Sequence, residues 1–185
     1  MQSGLDSRST GAPAEHGTSY GWPRGVDCTV ASVPHTLRPA TAAEYAFLYQ
    51  RYVATLQPFV AQGWGWDEPT QAERLRQRFD LNRLRIVVAQ GQEIGLLEVQ
   101  ERPSHRSLAT LRISPAVQRQ GWGTHIVRDL LQQAHDAGAP VRLQVLTVNH
   151  AARRLDARLA LRVSEETPTH YHMSAQGGEL PSASG

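Results

Sequence analysis

Three observations in this sequence predict an α/β domain built on a mixed sheet. The run "SLATLRISPAVQRQGWGTHIVRDLLQQAHDAG", residues 107–138, passes from alternating apolar positions to helical spacing across a turn holding two glycines. Ahead of it, "RLRIVVAQ" and "IGLLEVQER" flank "GQE" and read as a hairpin with a short glycine-containing loop. Behind it, "VRLQVLTV" gives way at Asn149 to "HAARRLDARL", a strand feeding an Asn-capped helix.

Taken in order, the folded part begins near "HTLRPAT" with a short strand. Thr41 with Glu44 three residues on forms a capping box that opens a helix, and Phe47, Leu48, Tyr52 and Leu56 lie on one face of it. Pro58 is expected to interrupt that helix, leaving "FVAQGWGWDEP" as a loop before a second helix, "TQAERLRQRFD". The hairpin follows, and "SLATLRIS" adds a third strand to the meander. Ile126, Val127, Leu130, Leu131 and Ala134 give the next helix its apolar stripe, and Gly138 and Pro140 stand where it stops. Val141, Leu143, Val145 and Thr147 alternate along the next strand, and Ala152, Leu155 and Leu159 share a face of the helix that Asn149 caps. "LRVSEE" and "THYHM", around Pro168, complete the order β-α-α-β-β-β-α-β-α-β-β. Residues 1–34 and 175–185 are rich in small and polar residues without periodicity. They are expected to be a flexible extension and tail around one domain, 35–174.

Composition narrows the function. Nineteen basic residues against seventeen acidic give a net charge of only +2, so nothing asks for a nucleic acid or a membrane surface as partner. All the basic residues are Arg, so no Schiff-base or phosphate-binding lysine exists. The single Cys28 excludes an intrachain disulfide framework and a cysteine-rich zinc site. No metal site is expected: His170 and His172 share a strand face, but two such ligands are too few. Without a leader-like start or a stretch long enough to span a bilayer, a cytoplasmic protein is expected, as monomer or homodimer.

A strand entering a helix through glycines gathers several backbone N–H groups in one concavity at the positive end of the helix dipole, which suits a phosphate or pyrophosphate. Gly121 and Gly123 allow close approach, and Arg119 can add charge. The P-loop pattern fails without a lysine, and the dinucleotide fingerprint fails because Ile126 stands where its third glycine belongs. What remains, Gln118-x-x-Gly121-x-Gly123 after "RISPAV", resembles the acyl-CoA pyrophosphate loop of the GNAT superfamily of N-acyltransferases. "LTVNHAARRLDARLALRVSEETPTHYHM" is similar to that family's C-terminal half, and "TLRPATAAEYAFLYQRY" to its first strand and helix. "LQPFVAQGWGWDEPTQ" resembles the acceptor-side segment of a bacterial subgroup.

The resemblance implies a mixed, mostly antiparallel sheet flanked by helices. It also implies acetyl-CoA as acyl donor and the amine of a small molecule or a protein N-terminus as acceptor. Ile113 would be a main-chain partner for the pantetheine arm. The N–H groups of Gln118, Arg119, Gln120, Gly121, Trp122, Gly123 and Thr124 would receive the pyrophosphate, and the Asn149 amide would reach the CoA arm. Glu98, the one acid inside an apolar strand, is the candidate general base, or else a solvent-facing strand residue. Asp156 stands where the family usually has the tyrosine that protonates the departing thiolate. An ionised aspartate cannot donate a proton, so only desolvation would make it an acid. That substitution, with Ala160-Leu161 after it, keeps open a second reading, a non-catalytic acyl-CoA-binding module. Trp64, Trp66 and Glu68 are candidates for an acceptor wall, with Asp67 and Glu68 alternatively serving the helix start, and Tyr171 could reach the thiol end. Arg153, Arg154 and Arg158 read as a solvated helix face, or as a contact for the adenosine 3′-phosphate.

Overall fold

The computed structural model describes residues 35–63, 65–78 and 80–176. The expected extension (1–34), Trp64 and the last nine residues of the expected tail (177–185) lie outside the described residues.

Seven strands form one sheet in the order β1-β2-β3-β4-β5-β7-β6. These are β1 (His35–Pro39), β2 (Leu84–Ala89), β3 (Gln92–Arg102), β4 (His105–Ile113), β5 (Val141–Leu146), β6 (Arg162–Glu166) and β7 (His170–Ala175). The β2–β3 hairpin turns at Gln90 and Gly91, both at positive φ (52° and 73°), a geometry that glycine adopts without strain. β7 includes Ala175, a buried residue, so the folded domain extends one residue past the expected boundary.

Two apolar layers cover the sheet. On one face, α1 (Tyr45–Gly63) sets Leu48 against Leu84, Ile86 and Leu96. On the other, α3 (Trp122–Asp136) buries Ile126, Val127, Leu130, Leu131 and Ala134 against Val87, Leu97, Val99, Leu143 and Val145. α4 (His150–Arg158) adds Leu155 and the following Leu159 to that same core. β2 and β3 serve both layers by strand alternation. Bulges in β3 opposite Val87/Val88 and in β4 opposite Glu98/Val99 slip the faces by one residue, so that Ile94 and Leu97 share one core while Leu96 faces the other.

Two expectations around α1 need correction. Pro58 does not end the helix, which runs on to Gly63, so Phe59–Gly63 is not loop. Proline removes the bond to the carbonyl four residues back, here that of Ala54, but Ala54 and Pro58 both lie on the exposed face. Water can satisfy that carbonyl while Leu48, Tyr52 and Val60 keep the inner face buried. The second helix, α2 (Glu68–Arg78), starts two residues early because Pro69 fits a first helical turn and Asp67 caps it, its Oδ2 accepting from the Thr70 N–H at 2.9 Å.

Candidate active site

The site follows from one irregularity of the sheet. β4 and β5 are parallel, yet they pair only through Arg106–Leu108 opposite Val141–Leu143. Beyond that the strands part, and the sheet splits toward their C-terminal ends, where open α/β sheets hold their ligands. The N-terminus of α3 and the N-terminus of α4 both open at this gap, since each helix follows one of the two strands.

At the mouth, a 3-10 turn (Pro115–Val117) and residues 118–121 lead into α3. Arg119 (φ 64°) and Gly121 (φ 90°) are both left-handed, which turns the chain sharply. The His125 N–H bonds to the Gly121 carbonyl at 3.1 Å, so the N–H groups of the preceding helical positions have no acceptor within the helix. This concavity fits a diphosphate. A Cβ on Gly121 would meet only the His125 ring, at 3.6 Å, whereas one on Gly123 would press on Leu155 Cδ1 at 3.3 Å. Gly121 thus serves the turn, and Gly123 lets α3 approach α4. The Trp122 side chain is buried in the core at 5% exposure, so only its backbone can face the cradle. The ring of His125 also flanks the loop, a role that sequence reasoning missed. The signal available for it was its place four residues past Gly121, on the same helix face.

Along the gap, Ser114 N–H bonds back to Ile94 O at 2.8 Å, so strand alternation turns the N–H and C=O of Ile113 toward the gap. The Gln118 side chain already donates to the Ile113 carbonyl at 2.8 Å, tying the loop to the strand and leaving the Ile113 N–H for a ligand. Asn149 caps α4 with Oδ1, accepting from Ala152 N–H at 3.1 Å, a bond that does not use its amide nitrogen.

Asp156 is buried on α4 at 5% exposure, and burial pushes its carboxyl up to about 7. Aspartate at that position is therefore substantially neutral near pH 7, which changes the chemistry expected of it. Glu98 is also buried, at 4% exposure, and accepts a hydrogen bond from Gln100 Nε2 at 2.7 Å. It pairs with Thr110, in the part of β4 that borders the gap, and lies on the α1 face with Leu84.

The α1 face carries the remaining polar residues. Trp66 tilts against Tyr52 with ring centroids 6.4 Å apart and donates through Nε1 to Glu68 at 2.6 Å. Glu68 also accepts from the Tyr49 hydroxyl, and these two donors hold its carboxyl below the ordinary glutamate value. Tyr52 donates to Gln71 Oε1 at 3.2 Å. Tyr171 lies elsewhere: paired with Val145, it faces the α4 layer, and the Arg153 guanidinium sits 4.1 Å over its ring. Trp66 and Glu68 therefore flank one side of the split sheet and Tyr171 the other. Arg153 and Arg158, with Arg162, border a groove of about 560 Å³ along α4 and β6. Among the described residues no group of side chains could hold a metal ion, and no helix is long and apolar enough to cross a membrane.

The mixed sheet is thus split, with a glycine-turned anion cradle at its mouth. Residues 46–160 match the model of the acetyltransferase (GNAT) family, and the chain belongs to that family, whose acyl donor is acetyl-CoA. Solved structures share the fold at low identity. The PaiA N-acetyltransferase of Thermoplasma acidophilum in complex with coenzyme A is 14% identical, with a TM-score of 0.63, covering 77% of this chain and 98% of that one. An acetyltransferase from Thermus thermophilus is 15% identical, with a TM-score of 0.61 over 77% and 96% of the two chains. The ribosomal-protein-S18-alanine N-acetyltransferase from Escherichia coli is 17% identical, with a TM-score of 0.55 over 80% and 97%. A search of curated proteins found no significant match.

Proposed function

We propose that this protein transfers the acetyl group of acetyl-CoA to the amine of a small molecule or a protein N-terminus, in the cytoplasm, as a monomer or homodimer. The observation that carries the proposal is the split between β4 and β5, with the glycine cradle at its mouth and two buried carboxyl groups in the elements that border it. The N–H groups of residues 118–124 hold the pyrophosphate, and the Ile113 N–H and the Asn149 amide hold the arm. Trp66 and Glu68 flank the acceptor, and Tyr171 borders the thiol end from the α4 side.

Glu98 takes one proton from the acceptor ammonium. The freed nitrogen lone pair then attacks the thioester carbonyl, so the C–N bond forms and the C–S bond breaks. Asp156, neutral through burial, gives its proton to the departing sulfur. The nitrogen sheds its second proton as the amide forms, and the products are the acetylated amine, CoA thiol and one proton. The test is thiol release from acetyl-CoA across a panel of amines. Release that depends on an amine supports the enzyme. Tight CoA binding with no release for any amine would overturn it in favour of a non-catalytic acyl-CoA-binding module.

A further inference from the structure

Two arginines that no part of this mechanism uses meet on the α1 face where β4 ends. Arg112, near the end of β4, donates through Nη1 to Thr55 Oγ1 at 3.3 Å, with its guanidinium 4.7 Å over the Tyr52 ring. Arg51, on α1, donates through Nη1 to Ser114 Oγ and stacks 5.0 Å over the Phe47 ring. The Thr55 hydroxyl that receives Arg112 itself donates to the main-chain carbonyl of Arg51 at 2.7 Å, one turn back on α1. Both arginines are half-buried.

Some arginines of this chain meet acids: Arg38 has Glu44 and Glu93, Arg76 has Glu73, Arg83 has Asp80, and Arg106 has Glu101. Among the described residues no carboxylate lies within salt-bridge distance of Arg51, whose guanidinium bonds a neutral hydroxyl. A partly desolvated guanidinium without a counter-charge is unfavourable, and its planar fork matches a carboxylate or phosphate. The register adds direction. Leu96 opposes Arg112 and Glu98 opposes Thr110, so Arg112 is the diagonal neighbour of Glu98 on one sheet face.

We propose that Arg51 and Arg112 form an anion clamp, so that the acceptor is a small amine carrying a carboxylate or phosphate a short spacer away from its nitrogen. The inference rests on the acetyltransferase reading above. The clamp places the anion beside the arginines and the amine toward Glu98, and it disfavours polycationic amines by like-charge repulsion.

The experiment compares matched pairs: serine with serinamide, and 2-aminoethyl phosphate with ethanolamine. Thiol release from acetyl-CoA should show at least a tenfold higher kcat/KM for a charged member than for its neutral partner. Arg51→Gln should erase that gap through KM, Arg51→Lys should restore part of it, and the Kd for CoA should not move. If the glutamine variant does not fold, Ser114→Ala, which removes the hydroxyl that aims Arg51, should narrow the same gap. Calorimetry on CoA-loaded protein with the same pairs reads the clamp without turnover, and selective binding of a charged member supports it. Turnover without preference for charge overturns the clamp while leaving the acetyltransferase intact. Equal binding of both members, or binding of neither, overturns the clamp whether or not thiol is released. Absence of CoA binding overturns the acetyltransferase reading instead.

Discussion

Replacing Asp156 with asparagine should make the protein more stable at neutral pH while disabling it. The residue is only 5% exposed, and burial raises its carboxyl from an ordinary 3.8 to about 7. The folded value lies above the unfolded one, so the native state holds the proton more tightly. Stability is complete below about pH 4, falls as the pH rises toward 7, and levels off above that. At ~1.4 kcal/mol per pH unit, the fully ionised native state is penalised by roughly 4 kcal/mol, an upper bound because the site can relax. Asparagine has the same shape and never ionises. Wild type and Asp156→Asn should therefore melt together at pH 4 and separate by pH 8, the variant melting up to ~8–16 °C higher at ~2–4 °C per kcal/mol. The assay is a pair of melting curves taken from pH 4 to pH 8, read beside the kcat for amine-dependent thiol release. The variant should lose ~10²–10⁴-fold in kcat, and the wild-type rate should decline as the pH passes 7. Parallel melting profiles would refute the buried neutral acid. An asparagine variant with unchanged kcat would show that the thiolate leaves unassisted.

Other expectations follow from the same geometry. Gly121→Val forces a branched residue to φ 90° at the cradle, and calorimetry should show CoA affinity falling at least tenfold in a protein that still folds. Asn149→Ala removes the cap of α4 and should cost about 1 kcal/mol in a urea titration, together with a weaker Kd for CoA. Glu98→Gln should lower kcat by ~10²-fold or more while the melting temperature holds. Leu48→Ala empties the centre of the α1-face cluster and should destabilise the fold by roughly 2–5 kcal/mol in the same titration.

The sequence by itself determined what depends on near neighbours in the chain. Strand alternation, the helix stripes, the Thr41–Glu44 capping box and the Asn149 cap are set within a few residues, and each lies where expected. The glycine loop was legible for the same reason, because its turn geometry is local. Pro58 misleads because the tolerance of a helix for proline depends on which face meets water, and that is fixed by packing. Tertiary structure alone decided the chemistry. Nothing local to "RRLDAR" tells whether its aspartate is solvated, and only the packing of α4 raises its carboxyl to about 7. Thr55 and Arg112 are 57 residues apart, Arg51 and Ser114 are 63 apart, and no spacing rule joins them. Their meeting, like the parting of β4 from β5, follows from how the whole sheet is assembled, since charge and desolvation act through space and not along the chain.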